Sequence, residues 1–210
     1  MNIPQARRPL ASRSKPWAGA LSRACVKAGV TADGISILSL VFAAAGGAAL
    51  LLLPRPWNLL AAAIGVQLRL VANLIDGMVA IEGGKKSKVG GLYNEVPDRV
   101  ADSIFLVALG YSIGIPWVGW LAALAASVTA YIRVLGGTLG LAQDFRGPLA
   151  KQHRMFVMTL GCLLGIAEWF YDGGQRVVVV AAFVIAFGAV LTCVTRIHAI
   201  AKQLKAREPA

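Results

Sequence analysis

The chain has 210 residues, 57% of them hydrophobic, with a mean hydropathy of +0.67 and a net charge of +11. A soluble domain sits near 45–50% apolar, so the composition excludes an ordinary soluble domain and points to an integral membrane protein. The basic excess would suit nucleic acid, but it falls in short segments between apolar runs, which excludes that partner.

Residues 1–30 form a basic N-terminal segment without the apolar core of a secretory signal. Within it, 16–28 spaces Trp17, Leu21 and Cys25 at i, i+4 and i+8, with Arg23 and Lys27 placed for lipid headgroups. That pattern predicts an interfacial amphipathic helix. A span needs about 20 apolar residues, and six are predicted: 35–53, 57–81, 98–113, 117–139, 154–170 and 177–200. Pro54-Arg55-Pro56 ends the first and Gly114-Ile115-Pro116 the third. The expected fold class is therefore an all-α integral membrane protein with six transmembrane helices preceded by an interfacial helix. The expected organisation is an N-terminal segment (1–30), one transmembrane catalytic domain (31–203) and a short cytoplasmic tail (204–210).

The loops divide sharply by charge. The N-terminal segment carries Arg7, Arg8, Arg13, Lys15, Arg23 and Lys27, and the second-to-third loop carries Lys85, Lys86, Lys88 and Arg99. Arg146, Lys151 and Arg154 join spans four and five, and Arg196, Lys202, Lys205 and Arg207 close the chain. The opposite loops hold only Arg55 and Arg176, while Arg69 and Arg133 fall inside spans. The positive-inside rule places both termini and the polar second loop in the cytoplasm. Basic residues near the membrane also favour anionic lipid headgroups. Trp57, Trp117, Trp120, Trp169 and Tyr171 fall near span ends and read as an interfacial belt. Cys25, Cys162 and Cys193, in or near apolar segments at no metal spacing, read as small buried hydrophobes.

The informative stretch is "NLIDGMVAIEGGKKSKVGGLYNEVPDR", Asn73 to Arg99. Asn73 and Asp76, three apart, project from one helix face, and Asn94, Asp98 and Asp102, four apart, from another. Gly83-Gly84, Gly90-Gly91 and three lysines lie between. Two oxygen-bearing faces joined by such a turn could hold hard divalent cations, for which carboxylate, amide oxygen and phosphate are suitable ligands. Carboxylates inside a membrane protein are costly, so a functional site is the default expectation.

This stretch resembles the signature of the CDP-alcohol phosphotransferase family, D-x-x-D-G-x-x-A-R-x8-G-x3-D-x3-D. Every gap matches. Asp76, Gly77, Ala80, Gly90 and Asp98 are identical, whereas Asn73 and Asn94 stand where the family has Asp and Ile81 where it has Arg. The resemblance implies a site for two Mg²⁺ or Mn²⁺ ions at the cytoplasmic membrane surface, binding the pyrophosphate of a CDP-linked lipid. It implies Asp76 as a metal ligand, Asp98 as ligand and as the base that activates an alcohol, and Asn73 and Asn94 as ligands through their amide oxygens. Gly77 and Gly90, with Ala80, would give cytidine and phosphates room to approach.

Three departures from the signature leave the metal count open. Asp102, one turn past Asp98, Glu82 and Glu95 could make up the lost charge; otherwise the site holds one metal, or the enzyme is impaired. Lys85 or Lys88 could reach the phosphates in place of the missing Arg. A second basic cluster, Arg133, Lys151 and Arg154, is expected to bind a phosphate on donor or acceptor, while His153 and His198 read as solvated or stacking.

The expected activity is transfer of a phosphatidyl group from CDP-diacylglycerol to a small polar alcohol, with release of CMP, in phospholipid synthesis at a bacterial inner membrane. The rival readings are a catalytically silent relative that binds nucleotide-lipid, and a small transporter. Charge gathered at one membrane face disfavours the transporter, whose site would lie near the midplane. Homodimerisation is usual in the family, and the small residues of 43–49 and Gly136-Gly137 would permit close helix contacts.

Overall fold

The computed structural model describes residues 15–82 and 89–207. Its described residues are all-helical, in seven helices: α1 (Pro16–Lys27), α2 (Ala32–Leu52), α3 (Trp57–Glu82), α4 (Gly90–Ser112), α5 (Pro116–Thr138), α6 (Lys151–Asp172) and α7 (Arg176–Lys205). Five of them, α2, α3, α5, α6 and α7, are long and apolar enough to cross a membrane. The chain is thus a multi-pass membrane protein. α4 is long enough, but Glu95, Asp98, Arg99 and Asp102 interrupt its apolar run.

Local chemistry sets most boundaries. The Thr31 hydroxyl accepts from the Gly34 N–H and caps α2. Pro116 opens α5, where no helical N–H is needed. Gly173 closes α6 at φ 70°, in the left-handed region that glycine enters without strain. The clearest difference from expectation is α4, which begins at Gly90 rather than near residue 98. Pro97 lies inside it and leaves the Tyr93 carbonyl without its helical donor. Asn94 and Glu95, which the predicted span left out, therefore lie in the first turns of a helix.

The six longer helices close into a ring in the order α3, α2, α4, α5, α7, α6, returning to α3, and α1 lies along α3. Phe105, Leu106, Leu59, Val66, Met155, Met158, Val178 and Ile185 fill the interior. Lipid tails are as apolar as leucine, so close packing rather than water exclusion holds such helices together. Glycines supply it: a Cβ on Gly119 would lie 2.6 Å from the Leu106 carbonyl, and one on Gly110 2.7 Å from Gly119 Cα. Gly46 meets Phe105 and Gly65, Gly47 meets Ile104, and Gly136 meets Ile200. Of the small residues expected to permit dimer contacts, Ala43, Gly46, Gly47 and Gly136 are buried within the chain, whereas Ala44, Ala45 and Ala48 are exposed.

A helix is present where one was expected in the N-terminal segment, as α1. It buries Ala18 and Ser22 and leaves Trp17 and Leu21 exposed. Cys162 is buried, and Cys25 and Cys193 are half-buried. Trp57, Trp117, Trp120 and Tyr171 are exposed. They lie at the starts of α3 and α5 and the end of α6, the end of the bundle away from the polar site.

Candidate active site

The site forms where α3 ends and α4 and α6 begin. α3 presents Arg69, Asn73 and Asp76 at i, i+4 and i+7, one stripe of the helix. α4 presents Asn94, Asp98 and Asp102 on a facing stripe. α6 adds Lys151 and Arg154 from its first turn, and α2 adds Ser36.

Asp98 is the hub. Its Oδ1 accepts from Arg69 Nη2 at 3.1 Å and from Asn73 Nδ2 at 2.5 Å. Its Oδ2 accepts from Arg99 Nη2 at 3.3 Å and from Lys151 Nζ. Two carboxylate oxygens offer about four lone-pair directions, and here four donors fill them. Arg69 Nη2 also contacts the Asp98 carbonyl at 3.2 Å and Asp102 Oδ1 at 2.7 Å. Its side chain is fully buried, so these two carboxylates are the counter-charges that permit a guanidinium there.

Asp76 forms a second centre. Its Oδ2 accepts from the Ser36 hydroxyl at 2.8 Å and from Asn94 Nδ2 at 3.4 Å. Its Oδ1 is buried and has no hydrogen-bond partner among the described residues. Both signature asparagines thus turn their amide N–H groups toward the retained aspartates, each across to the other helix. A carbonyl in that direction would oppose a carboxylate; the amide makes a bond instead.

The remaining predicted residues divide clearly. Asp102 and Arg154 are buried together: Arg154 Nη2 lies 3.3 Å from Asp102 Oδ2, and Nη1 donates to the Leu149 carbonyl at 2.8 Å. Glu95 turns to Arg133, at 2.5 Å, rather than toward Asp98. Arg133 also donates to Gln143 Oε1 at 2.9 Å and lies over the Phe145 ring. Gly77 and Ala80 are half-buried near the end of α3, and Gly90 opens α4. Lys85 and Lys88, and the side chain of Glu82, lie outside the described residues. His153 and His198 are exposed, in keeping with a solvated reading.

Beside the site, the loop from α5 to α6 and the end of α7 frame an open cleft of about 600 Å³, lined by Gln143, Phe145, Arg146, Gln152 and Gln203 among others. It joins the site through the bond of Gln143 to Arg133. At its wall Arg146 clasps Asp144. Burial pushes the Asp144 carboxyl up, but the Arg146 hydrogen bonds outweigh it and hold it below the usual carboxylate range. Arg196 braces the loop by donating to the Arg146 and Thr129 carbonyls at 2.8 and 2.7 Å.

Sequence reasoning missed Ser36 and gave Arg69 no role. Ser36 carries no signal beyond a hydroxyl at the start of an apolar helix. Arg69 does: a lone charge inside a span, one turn before the first signature position, is costly unless paired.

The donor set bears on metal binding. Among the described residues no three His, Cys, Asp or Glu side chains gather as a metal-binding group. Asp98 has its acceptor directions filled by protein donors. Asp76 Oδ1, buried and without a hydrogen-bond partner among the described residues, is the hard oxygen left for a cation. The residues fit one divalent ion at Asp76.

No family model matches the chain. Phosphatidylinositol phosphate synthase of Mycobacterium tuberculosis is 26% identical over 187 residues, 86% of this chain and 83% of that protein. Its Streptomyces avermitilis counterpart is 24% identical over 189 residues, 85% of this chain and 75% of that protein. The inner membrane protein YnbA of Escherichia coli is 24% identical over 166 residues, 78% of this chain and 83% of its own. The crystal structure of the Mycobacterium tuberculosis synthase with CDP-DAG bound superposes with a TM-score of 0.73 at 24% identity, covering 87% of this chain and 92% of that one. The same enzyme with manganese and citrate gives 0.73, covering 87% and 88%. These relatives span most of the chain, the solved structures share its fold, and the spacing of the signature survives its three substitutions: the chain is similar over most of its length to phosphatidylinositol phosphate synthases.

Proposed function

We propose that this protein transfers a phosphatidyl group from CDP-diacylglycerol to a small phosphorylated alcohol and releases CMP. The observation that carries this reading is the meeting of Asp76 and Asp98 across two helices at the basic end of the bundle. The synthases among its relatives, and the CDP-DAG held by one of them, name the donor and make inositol phosphate the first acceptor to try.

Asp98 is the general base. It takes the proton of the acceptor hydroxyl as that oxygen bonds to the lipid-side phosphorus, and the bridging oxygen leaves with CMP. Such a base contributes about 10²–10⁴-fold. Asn73 and Arg69 hold one oxygen of Asp98 and Lys151 and Arg99 the other, which fixes the carboxylate's aim. Lys151, freed as substrate arrives, can turn to an incoming phosphate. Asp76, with the carbonyls of Asn73 and Asn94, would hold Mg²⁺ or Mn²⁺, which supplies positive charge against the pyrophosphate. Gly77, Ala80 and Gly90 leave room for cytidine and its phosphates, and Lys85 and Lys88 supply charge from the connecting loop. Arg133, poised between Glu95 and the cleft, is the acceptor-phosphate contact. Arg154, committed to Asp102, supports the site from beneath.

α4 crosses the membrane as a sixth span, its charges sheltered by Arg69, Arg154 and Lys151. α1 lies at the interface. Basic segments put the termini and the site in the cytoplasm. A homodimer would use surfaces other than Gly46, Gly47 and Gly136, which are occupied within the chain.

The test is CMP release from CDP-diacylglycerol by purified protein in detergent with Mn²⁺ and a panel of alcohols, beside Asp98→Asn. Alcohol-dependent release lost in the variant supports the reading. Absence of release from protein that still binds the donor supports the silent relative.

A further inference from the structure

Four observations at the α3–α4 crossing bear on the charge that the site can hold. The signature positions carry two carboxylates and two carboxamides, so two negative charges that would balance one divalent ion are missing. Both carboxamides donate to the remaining aspartates, Asn73 to Asp98 and Asn94 to Asp76. Arg69, one turn before Asn73 and fully buried, contacts both Asp98 and Asp102. Asp98 has its four acceptor directions filled, whereas Asp76 Oδ1 is buried without a partner among the described residues.

We propose that Arg69 is a fixed internal cation that replaces one of the two divalent ions implied by the signature, so that the site takes a single ion, at Asp76. The changes compensate one another. A guanidinium brought against Asp98 removes the need for a cation there, and a third carboxylate at residue 73 would then lack a counter-charge. An amide at residue 73 removes that charge and adds a donor to Asp98. Arg69 is rigid and planar, and its Nη2 reaches both Asp98 and Asp102. It therefore acts as a positioning residue that aims Asp98 in every state of the enzyme, where an ion would come and go with substrate. The inference rests on the reading of this site as a phosphatidyl-transfer centre.

The experiment counts Mn²⁺ bound by the full chain in detergent, without donor or acceptor, from the loss of the free-ion electron paramagnetic resonance signal. Wild type is expected to saturate at one ion per chain. Asp76→Asn should lose it and Asp98→Asn should keep it. Arg69→Lys should stay at one ion, and Arg69→Leu with Asn73→Asp should rise to two. Two ions in the wild type, or loss of the ion in Asp98→Asn with retention in Asp76→Asn, would overturn the proposal. If Arg69→Leu with Asn73→Asp does not fold, the Asp76 and Asp98 pair still decides. CMP release measured alongside separates the two claims: turnover with two ions sinks this inference alone, and one ion without turnover sinks the activity alone.

Discussion

Asn73→Asp is the sharpest perturbation of this site, because it restores the family residue and should nonetheless harm the ion-free protein. The Asn73 amide donates to Asp98 Oδ1 at 2.5 Å. A hydrogen bond to a charged acceptor contributes about 1.5–3 kcal/mol, and the substitution removes it. It also sets two carboxylates about 3 Å apart, a repulsion of about 5 kcal/mol at an effective dielectric of about 20. Arg69, a turn away and already bonded to Asp98, offsets roughly half of the sum, which leaves a cost of about 3–4 kcal/mol. At about 2–4 °C per kcal/mol for a chain of this size, Tm should fall by about 6–16 °C in chelator. Mn²⁺ should restore most of that loss, because the new carboxylate can then share a cation. Asn73→Leu, which loses only the hydrogen bond, should fall less and should gain no more from Mn²⁺ than the wild type. The assay is thermal unfolding in detergent, with and without Mn²⁺. An Asn73→Asp protein as stable as wild type in chelator would refute the reasoning.

Three further outcomes are expected. Asp98→Asn should lower the rate of CMP release by about 10²–10⁴-fold while donor binding, read by equilibrium dialysis of CDP-diacylglycerol in detergent, is retained. Arg133→Ala should raise the acceptor KM about tenfold or more, with the donor KM unchanged, since its guanidinium lies at the cleft and not against Asp76; steady-state kinetics in each substrate separates the two. Gly119→Ala, whose Cβ would fall 2.6 Å from the Leu106 carbonyl, should destabilise the bundle by about 1–3 kcal/mol, seen as a lowered Tm with the metal response intact.

Much of the fold was legible because bilayer geometry and Pro/Gly punctuation constrain it. The runs 35–53, 57–81, 117–139 and 177–200 each fall on one helix to within a few residues at most ends. α4 was shortened for a physical reason. The predicted span began at Asp98 because Asn94, Glu95 and Pro97 interrupt the apolar run before it, but Glu95 is met by Arg133 and Asp98 by Arg69 and Lys151, all from other helices. Those pairings span 29 to 53 residues, and no local pattern contains them. The carboxylate faces themselves were readable from helical spacing, since Asn73 and Asp76, and Asn94, Asp98 and Asp102, each share one side of a helix. Which cation meets which carboxylate was not: Arg154 was read as a phosphate ligand and is committed to Asp102. Arg69 was visible as a charge in a span, but its partners lie on α4. Gly46, Gly47 and Gly136 show the same limit from the packing side, since a small residue signals close approach without saying whether the neighbour is in the same chain.

The most direct test of the account is a mass spectrum of the lipid formed when purified protein, Mn²⁺, CDP-diacylglycerol and inositol phosphate are incubated together. The account predicts a new phospholipid carrying the donor's diacylglycerol and one donor phosphate on the alcohol, formed in step with CMP and absent with Asp98→Asn. CMP formed without such a lipid, with water as the only acceptor, would contradict it.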